Sequence, residues 1–426
     1  MKIRFTSVGR RVELIQAFKE AAKKQISKIG EDIDMNQEEE QYIEKVKSKR
    51  YDLQTPCYTL NPTKFKENFD AITSAYEKVG GVTPLIGYSV KTNNHPLVLK
   101  MALENGTYAE VVSQTEYELA LTNGFSGDHI IVNGPQKTEK LIKDSVDNES
   151  ILNLDNFEDI KILGNFLQNG GGTGKTLRIG IRVNFNIEKY CGAEMKTEES
   201  RFGISSENGD LQKAIAELYS LGIHHFGLHY NFSSKTRGLH IYEAIAKETV
   251  ELVIKYDLAD DLLYVDIGGG FFGGQVIPGK PTMEDYANAV LPTLSKVLDM
   301  NKVKLIIEPG SSVISTAVDY LTKVLNVRDI REVKIVTTDG SDLDMNPLRF
   351  DREPKRIDFD RDNDREIEGK QVIAGATCME NDIIFTEENK AAYQKGDYIF
   401  CRYIGGYSIS FNNRFINNPP AVYRID

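Results

Sequence analysis

The chain has 426 residues, of which 40% are hydrophobic, enough for a barrel-sized domain plus a smaller module around a large core. Lys and Arg total 52 against 63 Asp and Glu, a formal net charge of −11 without a long basic block. This argues against nucleic acid or an anionic membrane as the main partner. Cys57, Cys191, Cys378 and Cys401 show no CxxC spacing and read as reduced thiols. No apolar run reaches the roughly 18–20 residues that span a bilayer, and the start lacks a signal peptide's apolar core, so a cytoplasmic location is expected.

Residues 1–30 begin with a strand-like Ile3-Arg4-Phe5-Thr6, then Ser7-Val8-Gly9-Arg10-Arg11 and a helix with Val12, Leu14, Ile15 and Phe18 on its apolar face. This opening resembles the first strand–loop–helix of the ATP-grasp ligases. The rest of that fold does not follow, so residues 1–50 are expected to be an appended segment and linker, with an acidic connector from Glu31 to Glu40 and a surface helix over 36–50.

From Thr55-Pro56 the pattern changes. A short strand, 56–60, is closed by Asn61-Pro62, which also starts a helix over 62–78. Eight apolar runs then alternate with helix-period segments: 85–90, 107–112, 129–133, 151–155, 177–183, 224–230, 263–267 and 304–308. They end at Lys91, Ser113, Gly134, Asn156, Asn184, Asn231, Gly270 and Gly310. Eight βα units over roughly 250 residues predict a (β/α)8 TIM-like barrel in 51–310, with its chemistry at the C-terminal strand ends. An open doubly wound sheet is the competing architecture. Residues 311–426 carry strand-like runs at 313–325, 333–338, 371–375, 382–385, 397–403 and 421–424, an expected all-β domain that strand 56–60 could join. Arg352 to Lys370 is highly charged and is expected to be a surface excursion.

Lys91 closes the first apolar run of the barrel. At a barrel mouth a partly desolvated lysine is expected to have a lowered pKa and to form a Schiff base. After the seventh run, Gly268, Gly269 and Gly270 would let backbone N–H groups approach a phosphate, and barrels commonly hold phosphate after strands seven and eight. Gly170-Gly171-Gly172-Thr173-Gly174-Lys175-Thr176 imitates a phosphate loop but precedes a strand, so it reads as a flexible loop. Glu308 ends the eighth strand, where burial demands a partner, either a ring-nitrogen cation or a structural salt bridge. His225, His229 and Asn231 share a strand face, but the ends of strands one and eight add no histidine, so no metal is expected. Lysine, glycine cup and buried glutamate together suit an aldehyde cofactor with a phosphate and a pyridine ring.

Several segments carry a family resemblance. They are Tyr88-Ser89-Val90-Lys91-Thr92-Asn93; Val111-Val112-Ser113 with Glu116, preceded by Glu110 where an Asp is usual; Arg182-Val183-Asn184; and Arg201-Phe202-Gly203-Ile204. Asp266 to Phe271, Glu308-Pro309-Gly310, Gly375 to Asp382 and Gly405-Gly406-Tyr407 continue the series. Over roughly residues 55–426 the chain resembles the fold-type III pyridoxal-phosphate decarboxylases, the diaminopimelate, ornithine/arginine and carboxynorspermidine decarboxylase family.

The resemblance implies pyridoxal 5'-phosphate, an amino-acid substrate and a homodimer whose two active sites are shared, with the Cys378 motif coming from the neighbouring subunit. It implies Lys91 and Cys378 as catalytic residues, the lysine forming the Schiff base and the thiol protonating a quinonoid. Cofactor contacts would come from Lys91, Arg182, His229, Asn231, Ser234, Gly268, Gly269, Gly270, Glu308, Gly310 and Tyr407, and substrate contacts from Ser311, Met379, Glu380 and Asp382. Three positions depart from the pattern: Asn231 replaces a ring-stacking histidine, Ser311 replaces an arginine, and Met379 follows the motif cysteine where ornithine-type enzymes have an acid. These departures point toward a modified or conjugated diamino acid as substrate. An amino-acid racemase on the same fold and a non-catalytic cofactor-binding protein are the alternatives.

Overall fold

The computed structural model describes residues 36–191, 200–232, 236–349, 354–362, 364–412 and 415–426. The ATP-grasp-like opening lies outside them. The chain forms two compact units, Met1–Asp52 and Leu53–Asp426. In the first, the helix Gln37–Lys49 is capped by the Asn36 side chain, with Glu38, Glu39 and Glu40 at its N-terminus and Lys47 and Lys49 in its last turn. Both charge placements complement the helix dipole. Among the described residues no helix is long and apolar enough to cross a membrane.

The second unit opens with β1 (Cys57–Leu60) and a helix, Pro62–Gly80, that starts on an Asn61 cap with proline in its first turn and stops at left-handed Gly81. Then come β2 (Leu85–Ser89), β3 (Tyr108–Val111), β4 (Ile130–Val132), β5 (Ile151–Leu154), β6 (Arg178–Asn184), a two-residue β7 (Ile204–Ser205), β8 (Phe226–His229), β9 (Leu262–Asp266) and β10 (Lys304–Ile307). The parallel order β5-β4-β3-β2-β10-β9-β8-β6 is closed by pairing of β5 with β6, which sets aside the open-sheet alternative. The extra β7 pairs only with β6, outside the closed ring. The glycine-rich 170–174 stretch is a turn between the helix Phe157–Gln168 and the start of β6, at the opposite end from the strand C-termini.

Two cores result. One lies between barrel and helices; the other, inside the barrel, gathers Ile131, Ile151, Tyr264 and Ile306. Tyr264 fills space that two neighbouring strands leave empty. A Cβ on Gly227 would sit 2.1 Å from its ring, and one on Gly180 would sit 2.3 Å from its hydroxyl. The hydroxyl donates to Asn153 Oδ1 at 2.7 Å, so the polar tip of this buried ring is satisfied.

Beyond the barrel the chain first makes a helical turn, Ser311–Ile314, and a 3-10 turn, Ser315–Ala317, so the strand expected from 313 begins only at Val318. It is β11 (Val318–Ile330), followed by β12 (Val333–Thr338), β13 (Lys355–Asp358), β14 (Ile367–Ala374), β15 (Ile383–Ala391), β16 (Tyr398–Arg402) and β17 (Ala421–Arg424). These strands and β1 make one eight-stranded sheet, order β13-β16-β11-β12-β14-β15, in which β1 pairs with both β11 and β17.

The charged stretch expected to be a surface excursion is partly sheet. β13 pairs with β16, and its arginines and those after it are consumed by acids: Arg356 by Glu387 at 2.7 Å, Arg361 by Asp358 at 2.7 Å and Arg365 by Asp397 at 2.5 Å. Charge density there marks internal ion pairing and not solvation.

Gly227→Val forces a side chain into the Tyr264 ring and is expected to destabilise the protein by about 1–3 kcal/mol, read as a lower urea midpoint. Adding Tyr264→Ala should recover part of that loss; no recovery would mean that the two positions do not share one space.

Candidate active site

β2 ends in the 3-10 turn Val90–Thr92, which aims Lys91 over the strand ends. Its Nζ donates to Glu110 Oε2 at 2.6 Å, and Ser89 Oγ donates to the same oxygen at 2.7 Å. Glu110 lies on β3, next to β2 in the barrel, and is buried. Its other oxygen accepts from Asn133 Nδ2 at 3.1 Å, and that amide also donates to Glu308 Oε1 at 2.5 Å. One continuous set of hydrogen bonds therefore runs from the lysine to the glutamate of the eighth barrel strand.

This arrangement reverses the expected lysine pKa. Burial alone would lower it, but attraction to Glu110 and Glu308 and the hydrogen bond that Lys91 donates to Glu110 outweigh burial, so the pKa is raised. Lys91 rests as an ammonium. The lowered pKa read from its position at a strand end missed the two carboxylates that other strands bring to it.

Glu308 Oε2 is buried and has no hydrogen-bond partner among the described residues, and the same is true of both ring nitrogens of His229. His229 Nε2 lies 3.7 Å from that oxygen. Asp266 accepts from the Gly268 N–H at 2.9 Å. Burial and the neighbouring Glu308 charge push Asp266 well above the usual carboxylate range. Burial would raise Glu308 as well, but the neighbouring His229 and Lys91 hold it at about 2. Burial pushes His229 down. Asp266 is thus pushed toward its neutral form beside Glu308, whose Oε2 is left without a donor, an unsatisfied buried acceptor. His229, Asp266 and Glu308 offer ligand atoms within 4.8 Å of one another and could hold a small cation; the cavity beside them suits a larger guest.

That cavity, 780 Å³, is lined by Lys91, Glu308, Gly269, Gly270, Ser311 and Tyr407, together with Asn231 and Arg237. A Cβ at Gly269 would fall 2.4 Å from the Glu308 carbonyl oxygen, and one at Gly310 2.1 Å from Thr92 Oγ1, so both positions need glycine for the strand ends to close together. The Tyr407 N–H donates to Thr92 O at 2.9 Å, which lays the Gly405-Gly406-Tyr407 loop of the β domain onto the lysine turn. An orphaned acceptor, a lysine and a glycine-walled end in one cavity fit an aldehyde-bearing pyridine ring with a phosphate.

Other expected site residues stand elsewhere. Arg182 is buried, pairs with Asp155 at 3.1 Å and donates to the Asn231 carbonyl at 3.2 Å, so it positions Asn231 from behind. Ser234 lies outside the described residues. Cys378 and Glu380 are exposed, Met379 is half-buried, and none of the three lines the Lys91 cavity of its own chain. Asp382 does not have the geometry of a substrate contact. It is buried, and its carboxylate accepts from Ser341 Oγ, the Asp342 N–H, the Thr377 N–H and Thr377 Oγ1. It builds the loop that carries Cys378.

Sequence reasoning noted Glu110 only as a departure from Asp, and it missed Asn133 and Asn153. The asparagines had a signal: each is a single polar residue within or just after an apolar strand, Ile130-Ile131-Val132-Asn133 and Ile151-Leu152-Asn153-Leu154.

The pyridoxal binding domain of the pyridoxal-dependent decarboxylases matches residues 63–315, and the chain belongs to this family. It is 28% identical to the diaminopimelate decarboxylase of Aquifex aeolicus over 378 residues, 86% of each chain, and 24% identical to that of Methanocaldococcus jannaschii over 373 residues. Among solved structures, a diaminopimelate decarboxylase from M. jannaschii superposes with a TM-score of 0.75 at 23% identity, covering 88% of each chain. A lysine/ornithine decarboxylase from Vibrio vulnificus, complexed with putrescine, gives 0.70 at 20% identity, covering 92% of this chain and 99% of that one. The protein is a pyridoxal-phosphate-dependent amino-acid decarboxylase of fold type III.

Because the folded-state pKa of Lys91 is raised, the stability that its pairing gives is complete below the unfolded lysine value of roughly 10.4 and is lost as pH climbs through the folded value. Cofactor-free wild type should therefore exceed Glu110→Gln by about 1–2 kcal/mol near pH 8, discounted for the partial exposure of the lysine, with the gap narrowing above about pH 10. Urea unfolding across pH 8–11 measures this, and a gap that does not change with pH would count against the pairing.

Proposed function

We propose that this decarboxylase acts on a modified or conjugated diamino acid, as a homodimer in which the Cys378 loop of each subunit completes the active site of the other. In this reading the barrel domain is 51–310, with strand 56–60 joining a β domain of 311–426, and 1–50 is an appendage. The single observation that carries the site assignment is the orphaned Glu308 oxygen facing the cavity that also receives Lys91.

Lys91 would anchor the cofactor through its aldehyde. To do so its ammonium must lose a proton, and Glu110 Oε2, at 2.6 Å, is placed to take it. Glu308 would accept a ring N–H and so favour a protonated ring nitrogen, with His229 Nε2 3.7 Å from its Oε2 and Asp266 beside it. Gly269, Gly270 and Tyr407 line the same cavity and would hold the phosphate end. When bound, pyridoxal phosphate supplies an electron sink for the pair left by departing CO2. The thiol of Cys378 of the partner subunit would deliver a proton to the substrate α-carbon.

Two observations support the shared site. Cys378 is exposed on a tightly built loop away from its own chain's cavity. The β domain also leaves Ile383, Phe411, Phe415 and Ile416 exposed, apolar side chains of the kind an interface covers. The substrate reading rests on Asn231, Ser311 and Met379, which stand where the family pattern has a ring-stacking histidine, an arginine and, in ornithine-type enzymes, an acid. The named activities of the relatives act on diaminopimelate, lysine or ornithine, so the expected substrate keeps an amino-acid end of that class and carries a group at the other end.

Lys91→Ala should lose the near-visible absorbance that appears when wild type takes up pyridoxal phosphate; unchanged absorbance would refute the lysine assignment. Cys378→Ala should lower kcat by about 100-fold with little effect on cofactor affinity. Mixing the two inactive variants should restore roughly a quarter of wild-type activity by forming one intact site per mixed dimer; no restoration would mean that the sites are not shared. CO2 release from a panel of amino acids tests the substrate, and faster turnover of free diaminopimelate or ornithine than of any conjugated diamino acid would refute the reading.

A further inference from the structure

Four residues in one layer of the barrel interior stand in register on adjacent strands. Asn153 on β5 pairs with Gly180 on β6, Gly180 with Gly227 on β8, and Gly227 with Tyr264 on β9. The two missing side chains let Tyr264 lie across two strands and reach the third. Its hydroxyl donates to Asn153 Oδ1 at 2.7 Å, and a Cβ on Gly180 would fall 2.3 Å from both atoms of that bond. Filling the layer needs only an aromatic ring; glycine at 180 makes room for the hydroxyl and its acceptor as well.

From Asn153 the hydrogen bonds continue toward the site. Asn153 Nδ2 donates to Asn133 Oδ1 at 2.9 Å, with Asp266 Oδ2 further off at 3.5 Å. Asn133 Nδ2 in turn donates to Glu308 Oε1 at 2.5 Å and to Glu110 Oε1 at 3.1 Å. Tyr264, Asn153 and Asn133 are all buried, and none of them lines the Lys91 cavity. An amide has nearly the same shape either way round, so its direction is set by its neighbours. The two carboxylate oxygens demand donors, which turns Asn133 Nδ2 toward them and leaves Asn133 Oδ1 in need of one. Asn153 Nδ2 supplies it, and Asn153 Oδ1 then needs a donor of its own. Tyr264 provides that donor, because burial pushes its hydroxyl well above the ordinary tyrosine value and it keeps its proton. Every bond in the row points the same way, and hydrogen bonds aligned head to tail in a low-dielectric interior strengthen one another.

We propose that Asn153 and Tyr264 are positioning residues for the cofactor's ring nitrogen. Through Asn133 they hold Glu308 by its Oε1, which leaves Oε2 as the free acceptor for a ring N–H. Neither residue touches the guest; both act by fixing which end of the Asn133 amide meets the carboxylate. The inference rests on the cofactor occupying the Lys91 cavity with its ring nitrogen toward Glu308, and it deepens that reading.

The test compares pyridoxal phosphate with its 1-deaza analogue, in which a C–H replaces the ring nitrogen, in spectral titrations of cofactor-free protein. Wild type should prefer pyridoxal phosphate. Asn153→Leu, which leaves Asn133 Oδ1 without its donor, should cut that preference on the order of 10-fold, by weakening pyridoxal phosphate while the analogue keeps its affinity. Tyr264→Phe keeps the ring between the two glycines and removes only the hydroxyl, and it should cut the preference by about 3-fold. The double variant should lose no more than Asn153→Leu alone, because the row is already broken. Three results would overturn the proposal: an unchanged preference in either single variant; equal losses for both ligands, which would give the row a purely space-filling role; or losses that add in the double variant, which would mean that the two residues act separately. A wild type without preference, or Glu308→Gln that keeps it in full, would instead refute the cavity reading itself, whatever Asn153 and Tyr264 do.

Discussion

The structure depends on the amide of Asn133, which donates to Glu110 and to Glu308 at once. Two buried carboxylates on separate strands would repel each other, and each would favour a proton in place of its charge. A shared neutral donor between them, with Lys91 on one side and His229 and Asp266 on the other, lets both remain ready for use. The pair of acids then has two tasks, one toward an amine and one toward a ring nitrogen. Desolvating this much charge stabilises nothing by itself. It is tolerated because the surrounding barrel is tightly filled, down to glycines that leave room for a single tyrosine.

The same constraint explains what the sequence could reveal. The barrel was legible because each of its eight strands is a short apolar run ending on a polar or glycine residue, a local pattern that needs no tertiary knowledge. Lys91, Glu308 and the triglycine were legible for the same reason. The protonation state of Lys91 was not, because it is set by Glu110 and Glu308, which are distant in sequence and meet the lysine only when the ring closes.

In the β domain, charge was the misleading signal. Arg356, Arg361 and Arg365 made 352–370 read as solvated, yet their partners Glu387, Asp358 and Asp397 make the segment part of the sheet. Asp382 misled in the opposite sense. A carboxylate near a reactive cysteine invites a chemical role, whereas its oxygens are spent holding the Cys378 loop in shape. In both cases the residue type was read correctly, but its hydrogen-bond partners decided the meaning.

Strand β1 has a further consequence. It precedes the barrel but lies in the β sheet between β11 and β17, strands that follow the whole barrel in sequence. The barrel is thus an insertion within the β domain, and no single cut can free one from the other. During synthesis, β1 must wait for β11, which follows the whole barrel, before it gains its first partner, and for β17 before it gains its second. Removing the final residues would therefore strip a partner from the very beginning of the fold and leave an open sheet edge, the surface most prone to pair with another chain.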